Sequence, residues 1–211
     1  MRPVLHILAA SVFVAASVSP VYAGNDDAGP ERIFGMLPNN TTIEASAGAA
    51  PQTTRDAFTV AARDTFDPVI YPFVGVTTLL GSGSGRANYN ARYATAFADS
   101  TIGNFMTTAV MPSLTNQDSR YYRRGEGGVF GRIAYAASRT VVTRSREGRA
   151  VFNISEIGGN FVAAGLSNVY YAPDGRTVGA TMSRWGTQVM WDTVANELKE
   201  FWPDIHRRLR K

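Results

Sequence analysis

The chain is expected to fold as an all-α protein, a compact bundle of about five to seven helices in one domain. Three observations point there. Apolar residues recur at three- and four-residue steps over several long stretches. No stretch shows the apolar/polar alternation of a half-buried strand. The stretches end at prolines or at Gly- and Ser-rich breaks, as helices do.

Residues 1–23 have the layout of a cleavable secretory signal. Arg2 lies in a short positive segment, an apolar run extends from Ile7 to Val18, Pro20 breaks it, and Val21-Tyr22-Ala23 places small residues where a signal peptidase cuts. The apolar run is about 12 residues, against about 20 for a bilayer span. Residues 24–51 are poor in large apolar groups and are expected to form a flexible lead-in, leaving 52–211 as a single helical domain.

Within that domain, Thr53 or Thr54 is placed to cap a helix carrying Phe58, Ala61, Ala62 and Phe66 and stopped before Pro68. Val69 to Leu80 is a second apolar segment, closed by Gly81-Ser82-Gly83-Ser84-Gly85. That glycine run lacks the lysine of a phosphate-binding loop. Asn90 to Val110 is predicted helical, with Tyr93, Phe97, Ile102, Phe105, Met106 and Val110 on one face and Pro112 as its stop. A polar loop follows over 113–128, then a helix from Val129 to Arg144 and a loop to Asn153. The helix from Ser155 to about Tyr171 carries Ser155, Gly159, Ala163 and Ser167 on one ridge. Such a ridge lets a neighbouring backbone come close and marks a tightly packed central helix. The last helix is expected from about Val178 to Trp202, with Trp185, Val189, Val194, Leu198 and Phe201 as its stripe and Pro203 stopping or kinking it.

Four stretches form a set: Ile102-Gly103-Asn104-Phe105 leading to Pro112-Ser113-Leu114; Gln117 to Arg123; Phe152-Asn153 with Ser155 to Asn160 and Ser167 to Tyr171; and Glu200 to Ile205. Together they resemble a family of uncharacterised exported bacterial proteins, frequent in acidobacteria and some proteobacteria, over roughly Arg55 to Leu209. Ser119 stands where that family is expected to have a proline. The resemblance implies a bacterial, envelope-side setting and carries over no activity and no site residues.

Composition narrows the chemistry. The chain has no cysteine, which excludes a thiol nucleophile, thiolate metal ligation, disulfides and a lipid-modified N-terminal cysteine. Beyond residue 23 the one histidine is His206, so His-rich zinc sites are excluded and no metal or cofactor is expected. The net charge of +4 is only mildly basic and does not indicate a nucleic-acid partner. Carboxylates remain for acid–base work, among them Asp99, Asp118, Glu126, Glu156 and Asp192. Asp99 and Glu156 are the catalytic candidates, each with a simpler structural role beside it: pairing with Arg139 or Arg184 for Asp99, and a first-turn helix position for Glu156. Candidate contacts to an anionic ligand or a membrane are Arg120, Tyr121, Tyr122, Arg123 and Arg124 in the polar loop, and Arg207 and Arg208 in the tail. The leading expectation is a non-enzymatic helical protein of the cell envelope, periplasmic or peripheral to a membrane, whose partner is anionic lipid, a glycan or another envelope protein. Its rivals are a carboxylate-based hydrolase of cell-wall or other glycans and a subunit of an envelope assembly.

Overall fold

The computed structural model describes residues 32–33, 39–44, 48–80 and 88–209; the expected signal segment and most of the expected lead-in lie outside them. Helices dominate, but two small sheets accompany them, so the fold is not purely α.

Strand β1 (Thr42–Glu44) precedes helix α1 (Thr54–Thr65), which Thr53 caps. The Thr53 hydroxyl accepts from the amide of Asp56 at 3.1 Å while the Asp56 carboxylate accepts from the amide of Thr53 at 3.0 Å, a reciprocal capping box. Helix α2 (Ile70–Leu80) contributes Ile70 and Val74 to an apolar cluster with Phe73, Tyr93 and Phe97. Helix α3 (Tyr89–Phe105) does not stop at Val110 as predicted. It passes into a π turn (Met106–Val110) and on as α4 (Met111–Thr115), one rod ending at Asn116 in the left-handed region. Pro112 falls in the first turn of α4, just after the π turn has shifted the hydrogen-bond register, where a missing amide is tolerated.

Strands β2 (Gln117–Asp118) and β3 (Tyr121–Arg123) follow, then α5 (Val129–Val141), β4 (Val142–Ser145) and β5 (Ala150–Phe152). The helix expected to reach Arg144 ends three residues early, because Val142 turns extended (φ −130°, ψ 121°). The β-branched run Thr140 to Thr143 favours that switch. Strand β4 pairs antiparallel with both β2 and β5, and β1 pairs parallel with β3. Helix α6 (Ile154–Ser167) is capped by Asn153, and α7 (Val178–Leu209) runs straight through Pro203, which neither stops it nor ends it at Trp202. The carbonyl of Glu200, next to the one that Pro203 leaves without an amide, accepts from Arg123 Nε at 2.9 Å and Arg132 at 2.6 Å.

The small ridge of α6 packs as predicted: Ser155, Gly159, Ala163 and Ser167 are all buried. A Cβ on Gly159 would sit 3.1 Å from Thr107 Cγ2 and 3.2 Å from the Met106 carbonyl, so the glycine sets how closely α6 approaches the π turn.

Burial departs from expectation elsewhere. In α1 the inward residues are Ala57, Ala61, Asp64 and Thr65, whereas Phe58 and Phe66 point outward. In α7 the inward residues are Thr181, Gln188, Asp192, Ala195, Glu200 and Trp202; the predicted stripe from Trp185 to Phe201 is at best half-buried. Among the described residues seven of the twelve buried apolar side chains are alanines, so the centre of the bundle is held largely by polar contacts.

Candidate functional site

The predicted Arg/Tyr loop is drawn into the protein. Asp118 accepts from the amide and guanidinium of Arg120 and from the Tyr122 hydroxyl, at 3.0, 2.6 and 2.8 Å respectively. Burial pushes the Asp118 carboxyl up, but these donors outweigh it and hold it below the usual carboxylate range. The guanidinium of Arg144 stacks 4.1 Å from the Tyr122 ring. Arg123 pairs with Glu44 at 2.9 Å.

The hub of this region is Glu200, which is fully buried. Its carboxylate accepts from Tyr121 Oη at 2.8 Å, Arg132 Nε at 2.8 Å, the Arg124 amide at 3.0 Å and the Gly125 amide at 2.9 Å. Desolvation opposes its charge, yet these four donors keep its pKa low. Gly125 adopts φ +68°, and a Cβ there would meet the Arg123 guanidinium at 3.0 Å, so glycine is required for the turn that aims its amide at Glu200. Of the loop candidates, only the side chain of Arg124 is exposed. Arg207 and Arg208 are exposed at the end of α7, with Arg207 also bonded to Asp204. The structure therefore separates the arginines by role: Arg123 holds β3 against α7, Arg120 ties the β2–β3 turn to Asp118 and the Ala50 carbonyl, and Arg124, Arg207 and Arg208 face outward.

Glu156 and Asp192 come together, and Asp99 does not join them. Asp192 (α7) and Glu156 (α6) face a polar cavity of about 80 Å³, with Asp64, Asn104, Asn196 and Lys199 also in its wall. Asn160 Nδ2 donates to Asp192 at 2.6 Å and lies 3.5 Å from Glu156. Burial, then the hydrogen-bonded Glu156 carboxyl, push the Asp192 pKa well above its ordinary value. Burial lowers that of Lys199 against the pull of the Glu156, Asp192 and Asp64 charges. The two carboxyls have Asn160 as a common neighbour at one wall of the cavity, and burial inclines Asp192 to keep its proton. The cavity has room for a few waters and none for a sugar ring.

Asp99 was expected beside Arg139 or Arg184. Instead it accepts from Tyr170 at 2.6 Å and Tyr171 at 2.5 Å, with Arg184 contributing charge from above the Tyr171 ring. Arg139 lies elsewhere, stacked 4.8 Å from Tyr135. Among the described residues no three His, Cys, Asp or Glu side chains are grouped to hold a metal ion.

The outer faces of α5, α6 and α7 are the unusual surface. In α6 the exposed positions are Ile154, Phe161, Val162, Gly165 and Leu166, while the buried ones include Ser155, Asn160 and Ser167. In α5 Val129, Phe130, Ile133 and Val141 point out and Arg132 and Thr140 point in. From Val178 to Val194 the exposed positions of α7 include Met182, Gly186 and Met190, without a charged residue. Phe130 is 88% exposed, Val178 79% and Val169, just past α6, 77%. Both α5 and α6 pack on α7, and Phe161 meets Trp185 edge-on at 6.0 Å. Among the described residues no helix is long and apolar enough to cross a membrane.

Sequence reasoning named the ends of this machinery and missed its centre. Glu200, Asn160, Asp64 and Lys199 were not singled out, although the four-residue step from Glu156 to Asn160 and the seven-residue step from Asp192 to Lys199 put each pair on one helix face. Compared with known proteins, the chain matches no protein-family model, no curated protein and no solved structure.

Proposed function

We propose that this protein is a non-enzymatic helical component of the bacterial envelope that sits on a membrane surface, with the outer faces of α5, α6 and α7 seated in the apolar layer. One observation carries the reading: α5, α6 and the Val178–Val194 part of α7 turn polar and small residues inward and large apolar residues outward. A face of this kind marks a surface that something apolar covers. Helices of 13 and 14 residues, as in α5 and α6, lie along an interface more readily than across it. The inward ion pairs and hydrogen bonds add the cohesion that a small, alanine-rich apolar core does not supply. The same face also suits the assembly reading, since a partner protein covers it equally well.

The test is flotation of the mature protein with lipid vesicles, beside its mass in solution. Binding of the monomer to vesicles supports the membrane reading. The triple variant Phe130→Ser, Phe161→Ser, Val169→Ser then weakens binding about 100-fold, taking roughly 1 kcal/mol for each partly inserted side chain. A stable oligomer that ignores vesicles transfers the face to the assembly reading, and a monomer that ignores them refutes both. The hydrolase reading has only the enclosed Glu156–Asp192 pair in its favour.

A further inference from the structure

Where the start of α5 meets the end of α7, a groove of about 630 Å³ is floored by Val129, Phe201 and Ile205 and edged by Arg207 and Arg208. Its size falls in the range of small-molecule sites. We infer that this groove takes an anionic phospholipid from the membrane, its phosphate held by Arg207 and Arg208 and its first acyl methylenes laid over Val129, Phe201 and Ile205. The inference rests on the membrane reading above and names the headgroup it prefers.

Charge complementarity argues for that occupant. Asp204 is the acid in the groove wall, and it is already held by Arg132 at 2.6 Å, by Arg123 at 3.8 Å and by Arg207. Glu200 and Glu44 are likewise taken up by Arg132 and Arg123. Four guanidiniums thus meet three carboxylates, and Arg208, exposed, has no carboxylate partner among the described residues. Arg207 is 72% exposed and keeps donors free for an incoming oxyanion. The Arg132 guanidinium also lines the groove, stacked 4.4 Å over the Phe201 ring, and adds to its cationic character. Phe130, beside Val129 and almost wholly exposed, extends the apolar surface at the groove's end. Apolar floor and cationic rim match an amphiphile whose head is an anion and whose tail is hydrocarbon.

The test compares vesicles of phosphatidylcholine alone with vesicles holding one third phosphatidylglycerol, at low and high salt, for the full mature protein and for Arg207→Gln/Arg208→Gln. The wild type is expected to bind the anionic vesicles at least tenfold more tightly at low salt, with the difference shrinking at high salt. The double variant is expected to lose that preference, keeping only the binding that the apolar face supplies; both side chains are exposed, so its melting temperature serves as the folding control. Val129→Ser is expected to weaken anionic binding severalfold. Wild-type binding that ignores the headgroup, or a double variant that keeps the preference, overturns the groove and leaves the apolar face standing. Absence of binding to either vesicle overturns both.

Discussion

Replacing Glu200 by glutamine is expected to be among the most damaging conservative changes in this chain. The carboxylate is fully buried and accepts four hydrogen bonds, two from amides in the Arg124–Gly125 turn and two from Tyr121 and Arg132. Glutamine keeps the shape but removes the charge, and it puts an NH2 group where donors already converge. Removing one partner of a buried ion pair costs about 3–5 kcal/mol. The lower end applies here, because Arg132 keeps Asp204 at 2.6 Å and the Glu200 carbonyl at 2.6 Å. About 3 kcal/mol is a large share of the 5–15 kcal/mol that holds a typical domain. For a domain of this size it lowers the melting temperature by roughly 6–12 °C. Calorimetry of the mature protein at pH 7 measures it, with Glu147→Gln, half-exposed on the β4–β5 hairpin, as the control. A drop below about 2 °C, or one equal to the control's, refutes the view of Glu200 as the hub. The pH dependence gives a second check. The Glu200 pKa is lowered in the fold, so its stabilisation is present above the unfolded value of about 4.3 and is lost as pH falls through the folded one. The variant's acid limb is therefore shallower, with Asp118 and Asp204, lowered in the same way, supplying what remains.

Asp192 works in the opposite sense: its pKa is raised, so the fold binds a proton and loses stability as pH rises from about 3.9 to the folded value, at about 1.4 kcal/mol for each pH unit crossed. Asp192→Asn, which mimics the protonated form, is expected to gain stability over wild type as pH goes from 4 to 8; melting curves that differ from wild type equally at both ends of that range refute the raised Asp192 carboxyl. Gly159→Val pushes methyls into Thr107 and the Met106 carbonyl and is expected to cost about 1–3 kcal/mol beyond any gain in helix propensity, read by urea unfolding; a neutral result refutes the close contact. Thr53→Ala removes the capping box on α1 and is expected to cost about 1 kcal/mol, with a melting shift of roughly 2–4 °C.

What could be read in advance divides along physical lines. Helix starts were legible where a side chain marks them: Thr53 was named and is the cap, and Ser155 lies in the first turn that Asn153 caps. The small ridge of α6 was legible because its period is that of the helix. The strands were not, since two to four residues are too few to show alternation. Pro112 was read as a stop and Pro203 as a stop or a kink because proline breaks an uninterrupted ladder; a π turn upstream of one and guanidiniums beside the other let the helix continue. The largest misreading concerns which side of each helix faces in. Periodicity finds two faces but does not say which is buried, and the rule that large apolar residues go inside fails for Phe58, Phe161 and the outer face of α5. The bridge from Arg120 to Asp118, two residues away, was legible, whereas the partners of Arg123, Glu44 and the Glu200 carbonyl, lie far along the chain and meet it only when it folds.

The π turn has a consequence for length variation. A helix advances about 100° per residue, so an extra residue held in one turn rotates everything downstream by that angle. In the rod from Tyr89 to Thr115 it sets the angular phase between the half that meets α1 and α2 and the half that meets α6 and β2. Converting Met106 to Val110 into regular helix at the same length would turn the second half away from its partners, whereas deleting one residue there would remove the extra residue and keep its phase. A deletion in the hairpin at 146–149 would shorten only an exposed turn. A one-residue deletion is thus absorbed at the π turn much as in an exposed hairpin, whereas in a regular part of the rod it would rotate the downstream half by about 100°.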